Sequence, residues 1–374
     1  MRISNMSNDY LTNMQSDIIN WLRFPLIVMV VYLHSSVDVD YATSVTQSGL
    51  FAIVQTAWSR MIVHLAVPAF YFISGFLMFY RLNEYNRATY ISKMKKRFNR
   101  LLVPFLIWNI IAWAIWLLRE INAGASIVNT LSSYYERGVL SCLWVFYTIG
   151  DENVDILGNT SHLTAPADLP LWYLRDLIVV TILSPVFYYG IKKLNYFSVL
   201  LFSLYFVSGI FYNIPGLSSV AVSFYGLGAF FSIMKVDFSV ITRRYLKIIL
   251  PLYILLLVYI LSIFKSTVAL QLFPLFRLMG VFVIFGLAEW IIRCSKVRIP
   301  QALSDSTFFI YAIHYILFLS FVDKLLGLIL PASNEITHTF LFLLSPLIKV
   351  CLYATIFIIL RRIIPKTMAI LNGH

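Results

Sequence analysis

Long apolar runs joined by polar connections set the organisation of this chain. Runs of spanning length fall near 18–38, 58–80, 101–119, 170–190, 196–213, 218–234, 245–263, 273–293, 306–323 and 338–360. Each reads as a helix, because a hydrocarbon core about 30 Å thick takes about 20 apolar residues in helical form. A further apolar stretch, "VLSCLWVFYTIG" at 139–150, is too short to span and reads as re-entrant or interfacial. The pattern predicts an all-α polytopic membrane protein of about ten transmembrane helices, built as a single domain over 1–374. The first apolar run follows a polar opening and reads as a retained span rather than a cleaved leader.

The basic residues sharpen this picture. With the N-terminus inside, inner segments carry nineteen Lys and Arg, among them Arg81 to Arg100, Lys192, Lys193, Arg243, Arg244, Arg361 and Arg362. The outer loops carry four: Arg119, Arg137, Lys265 and Lys324. That bias predicts cytoplasmic N- and C-termini. The outer segment 120–169 is long and acidic, with Glu120, Glu136, Asp151, Glu152, Asp155 and Asp168, and reads as a lid or as a plain solvated loop.

Composition agrees: 60% of residues are hydrophobic, 12% are charged, and mean hydropathy is +0.81. The net charge of +12 needs no nucleic-acid partner, because basic cytoplasmic loops account for it. Three scattered cysteines, Cys142, Cys294 and Cys351, build neither a disulfide framework nor a metal site, and no metal is expected.

Polar residues inside the spans are costly and point to a protein interior or a wet cavity. In "RFPLIVMVVYLH", Arg23 and His34 stand eleven residues apart, about three turns and 16 Å of rise, so both point to one side of a helix at different depths. Asp38 is one turn beyond His34 and within reach of its imidazole. Ser74 and Gly75 in "FYFISGFLMFY" fall near the depth of Arg23, while Trp172, Arg175 and Asp176 in "LPLWYLRDL" fall near His34. Arg175 and Asp176 are adjacent, so one is expected to pair across helices while the other faces the cavity. Lys93, Arg97 and Arg100 share a helical face at the inner interface. They suit phosphate binding, or equally a basic cluster that fixes topology or holds anionic lipid. Trp172 reads as a sugar-stacking surface or as part of the interfacial aromatic belt. The ordered depths form a polar track, which fits a transporter or flippase, or an enzyme with its donor inside and its acceptor outside.

These residues resemble the acyltransferase-3 family of bacterial membrane O-acyltransferases along nearly the whole chain. The resemblance rests on Arg23-x10-His34, on "YFISGF" with Ser74, Gly75 and Phe76, and on the paired Arg97 and Arg100. It also rests on "LWYL" at 171–174 and on "STFFIYAIHYILF" with Tyr311 and His314. It departs where the family has an aromatic residue and this chain has Lys93.

The resemblance implies transfer of an acyl group, acetyl by default, from cytoplasmic acetyl-CoA or another acyl-CoA to a hydroxyl of a surface glycan or other extracytoplasmic acceptor. The setting is the bacterial cytoplasmic (inner) membrane. Arg97 and Arg100, with Lys93 beside them, would hold the CoA phosphates, and the pantetheine arm would pass Arg23, Ser74 and Gly75. His34 would be the general base. Asp38 would orient its ring, and Arg23 would stabilise the thioester oxygen. Trp172, Arg175 and Asp176 would meet the acceptor. A transporter, and a non-catalytic partner of a glycan export machine, are the competing readings.

Overall fold

The computed structural model describes residues 2–35, 49–82, 84–129, 153–156, 159–162, 166–209, 216–264, 266–295, 297–330 and 334–373. Helices occupy all ten apolar runs. They are α1 Arg2–Ser35, α2 Leu50–Phe79, α3 Arg87–Asn122, α4 Leu169–Ile182, α5 Ser184–Leu194, α6 Phe197–Val207 and α7 Ser219–Ile233. There follow α8 Phe238–Ser262, α9 Thr267–Ser295, α10 Gln301–Ile313, α11 Ser320–Ile329, α12 Glu335–Ile363 and α13 Pro365–Leu371. The chain is thus a predominantly helical membrane protein. Among the described residues it departs from all-α in one place, an antiparallel hairpin of β1 Asn153–Ile156 and β2 Asn159–His162. The apolar stretch 139–150 and most of the 120–169 loop lie outside the described residues, as does Asp38.

Among the described residues six helices are long and apolar enough to cross a bilayer, and α4 with α5 makes a seventh if the bent pair is one span. The remaining runs hold shorter or broken helices. The α4–α5 bend of 61° sits at Pro185, which lacks an N–H and collides with the carbonyl four residues back. Pro68 acts similarly in α2. It lies four residues after His64, and the helix just ahead of it tightens to a 3-10 turn at Val63–Leu65, preceded by a π-helical stretch at Thr56–Ile62. The run 306–323 breaks after Ile313 without proline or glycine. Side chains cap it instead: His314 Nδ1 bonds the carbonyls of Tyr311 (2.8 Å) and Ile310 (3.1 Å), and Tyr353 Oη donates to Leu317 O at 2.6 Å.

Helices inside a bilayer gain little from the hydrophobic effect and associate by close packing at small residues. The α2–α7 contact follows this rule reciprocally. A Cβ on Gly75 would meet Tyr225 O at 2.0 Å, and one on Gly228 would meet Phe72 O at 1.9 Å. Around this contact Phe72, Phe231, Phe238 and Phe285 interlock, with neighbouring ring centroids 4.9–6.3 Å apart. Outward-facing Leu252, Leu255, Val258, Leu270, Leu328 and Ile336 are exposed, as expected of lipid-facing positions.

Candidate active site

Helix α1 packs along α10, and both residues of the Arg23–His34 pair lie on that side. Near the α10 N-terminus, Arg23 is within electrostatic reach of Asp305. At the opposite end His34 meets His314, with ring centroids 5.2 Å apart, and Tyr315 at 5.8 Å edge-on. The eleven-residue spacing thus sets two polar contacts at two depths of one helix pair.

The tautomer of His314 follows from its partners. Both groups bonded to Nδ1 are carbonyls, which only accept, so Nδ1 carries the hydrogen and Nε2 keeps its lone pair. That Nε2 is buried and has no hydrogen-bond partner among the described residues. His34 makes no hydrogen bond among the described residues.

A cavity of about 330 Å³ opens on the Arg23 side. Arg23, Ser74, Arg100, Tyr173, Asp305 and Tyr311 are among its lining residues, and Asn372 and Gly373 of the chain end close over it. This volume is in the range of small-molecule sites. Asp305 would repel an anion there, but Arg361 Nη1 at 2.5 Å and Gln301 Nε2 at 2.7 Å satisfy its two oxygens. Tyr173 and Tyr311 stand between cavity and imidazoles. Tyr173 Oη is 3.4 Å from Ser74 Oγ, the Tyr173 and Tyr311 rings are 5.9 Å apart, and Tyr311 is 6.4 Å from His314. Tyr311 Oη donates to Pro170 O, which fixes the ring against the start of α4. Tyr311 is among the residues that line the cavity and His34 is not.

The basic triad divides. Lys93 Nζ donates to Met78 O, and Arg97 Nη2 lies 3.5 Å from Ser74 O, so both lean on α2. Arg100 is exposed and lines the cavity. Among the described residues none of the three is paired with a carboxylate. Gly75 differs from expectation. It is buried against the Tyr225 backbone, does not line the cavity, and serves helix packing rather than passage of an acyl arm. Arg175 and Asp176 also differ. The two pair with each other, Arg175 Nε donating to Asp176 Oδ1 at 3.1 Å, and the same oxygen accepts from Gly216 N at 2.8 Å. Both are buried, with the Gly216 backbone N–H bonded to Asp176. Trp172 is partly buried at the first turn of α4.

Sequence reasoning counted one buried acid among the residues of a solvated loop. Asp168, just ahead of α4, is fully buried with neither carboxyl oxygen bonded, and burial pushes its pKa well above the usual carboxylate range. Its place at the end of the acidic outer loop suggested solvent. Among the described residues no group of His, Cys, Asp and Glu is placed to hold a metal ion.

Apolar helices of spanning length, a close histidine pair and an arginine-lined cavity describe a polytopic membrane protein with a polar site among its helices. The chain belongs to the acyltransferase-3 family, whose acyltransferase domain matches residues 17–359. It is also similar to the succinoglycan biosynthesis protein ExoH of Rhizobium meliloti (strain 1021), at 24% identity over 173 residues, which is 45% of this chain and 41% of that protein. The match therefore spans less than half of that relative's length. No solved structure matches the chain.

Proposed function

We propose that the chain transfers an acyl group from cytoplasmic acyl-CoA to a hydroxyl of a polysaccharide on the far side of the bacterial cytoplasmic membrane. Acetyl is the default group. In this reading ten segments cross the bilayer and both termini are cytoplasmic. The observation that carries it is the position of the His34–His314 pair at the far end of the same helix pair whose near end, at Arg23, lines the cavity.

Arg97 and Arg100 would hold the CoA phosphates at the inner surface, where guanidinium groups free of carboxylate partners suit them. The pantetheine arm would enter past Ser74 and Arg23. Tyr173 and Tyr311 gate the way to His34, so their rings must move for the thioester to arrive. His34 takes the proton of the acceptor hydroxyl as its oxygen attacks the thioester carbonyl carbon. The C–O bond forms, the C–S bond breaks, and the departing CoA sulfur receives the proton from His34. Arg23 would stabilise the carbonyl oxygen in the tetrahedral state. His314, with its fixed tautomer, supports the His34 ring; Asp38 remains the carboxylate proposed for the same purpose. Trp172 would stack on the acceptor sugar. The polysaccharide acceptor is supported by the likeness to a protein of succinoglycan biosynthesis.

Acyl-CoA hydrolysis by the purified protein in detergent tests this. Wild type turns over slowly and His34→Ala reduces the rate by a factor on the order of 10²–10⁴. Equal rates in the two proteins overturn the assignment of His34.

A further inference from the structure

Three nitrogen-bearing side chains in the apolar helices play no part in the site above: Arg60 and His64 on α2, and Arg277 on α9. Their setting is unusual. Arg60 lies in the π-helical stretch Thr56–Ile62, and His64 in the 3-10 turn Val63–Leu65. Such irregular turns recur at functional sites because they re-aim side chains that a regular helix would send elsewhere. Arg60 and His64 are four residues apart and so lie on one side of α2.

Helix α9 packs against both irregular turns. Gly280 sets how close it comes, since a Cβ there would lie 2.5 Å from Leu65 Cδ2. Arg277 is one turn from Gly280, and His64 is next to Leu65, so this contact brings Arg277 to His64. Accordingly, His64 is within electrostatic reach of Arg277, Arg60 and His34 together. Arg60 and Arg277 each stand ten residues in from the start of their helices, Leu50 and Thr267, and so at similar depth. Arg277 is partly buried, and among the described residues its guanidinium makes no hydrogen bond and no ion pair. A basic side chain in a bilayer is costly and is retained where it faces a partner.

We propose that Arg277, His64 and Arg60 form an anion subsite beside His34 that holds a carboxylate carried by a substrate. A guanidinium offers two parallel donors to a carboxylate and balances its charge, and an imidazole beside it adds a further N–H donor. The location says which part of a substrate arrives there. In the acyl-transfer reading, on which this rests, the thioester sits at His34, and the next group beyond it is either the far end of the acyl chain or a neighbouring substituent of the acceptor sugar. The subsite therefore selects a dicarboxylic acyl donor or an acidic sugar.

Equilibrium binding to the full chain in detergent tests this with two pairs of probes. Succinyl-CoA is compared with butyryl-CoA, which has the same carbon count and no carboxylate. A glucuronic acid oligosaccharide is compared with its glucose counterpart. The expected result is that at least one carboxylate probe binds wild type about tenfold more tightly than its neutral twin, the equivalent of one charge-assisted pair. Arg277→Gln and His64→Gln erase that ratio, and Arg277→Lys keeps part of it. The pair that responds identifies which substrate carries the carboxylate. The proposal is overturned if neither ratio exceeds about twofold in wild type, or if the ratio survives Arg277→Gln, which would leave Arg277 as a lipid headgroup anchor. Failure of the acyl-CoA reading is separately visible as absence of binding by both thioesters, and the sugar pair then decides alone.

Discussion

His34 and His314 divide the demands on an imidazole in a membrane. The Nδ1 proton of His314 is committed to two backbone carbonyls, while His34 makes no hydrogen bond among the described residues. Replacing His314 with Gln keeps an amide that can donate to the Tyr311 carbonyl and removes the free ring nitrogen. The expected outcome is a lower kcat with an unchanged KM for acyl-CoA, read by steady-state kinetics. A change in KM alone would place His314 in donor binding. Arg97→Ala and Arg100→Ala are expected to weaken acyl-CoA binding and flatten its dependence on ionic strength, since each removes a phosphate partner. Unchanged affinity would assign the basic face to topology or lipid. Asp168 carries a pH signature. Its folded pKa is raised by burial, so the unfolded chain ionises first, and the residue destabilises the fold increasingly as pH rises above the ordinary carboxylate value of about 4. Asp168→Asn is therefore expected to raise the thermal midpoint at neutral pH and to leave it unchanged below about pH 4. A lower midpoint at neutral pH would mean the ionised carboxylate has a partner.

At the scale of elements, breaks matter as much as spans. The proline signals at 68 and 185 stand in the sequence. The α10 break does not, because it is made by side chains, His314 and Tyr353, that sequence spacing cannot pair. The run 306–323 consequently reads as one helix from its letters alone. The Arg23-x10-His34 spacing was legible, since helical geometry fixes relative faces. The fate of Gly75 was not, because its role depends on Tyr225, which is remote in sequence. The Arg175–Asp176 pair likewise formed between neighbours whose backbone directions argue against it. Bringing the α2–α7 backbones apart is expected to be costly. Gly228→Leu places a side chain where a Cβ alone would lie 1.9 Å from Phe72 O, and a loss of about 1–3 kcal/mol is expected in detergent unfolding. Unchanged stability would mean that α7 is free to shift. Lys349, buried at 2% exposure, is paired with Asp323 at 2.7 Å. Asp323→Asn leaves that ammonium without its charge partner, and a loss of about 3 kcal/mol or more is expected by the same assay.

For the whole molecule, the apolar pattern made its membrane character plain, and the motif order made its family plain. Which helices cross fully was less legible, because α6 and α7 are shorter than the apolar runs that contain them and the run 306–323 is divided between α10 and α11. The proposed sidedness places the Arg100 end of the cavity in the cytoplasm and His34 toward the far side. Reporter fusions at both ends of the chain are expected to read cytoplasmic. An outward C-terminus would put Arg97 and Arg100 out of reach of the CoA pool. The most direct measurement is mass spectrometry of surface polysaccharide from cells carrying wild type, cells carrying His34→Ala at equal membrane abundance, and cells lacking the chain. An acyl mass increment on a sugar hydroxyl in the wild-type cells alone is the predicted result. The same increment with His34→Ala, or none in any of the three, contradicts acyl transfer through His34.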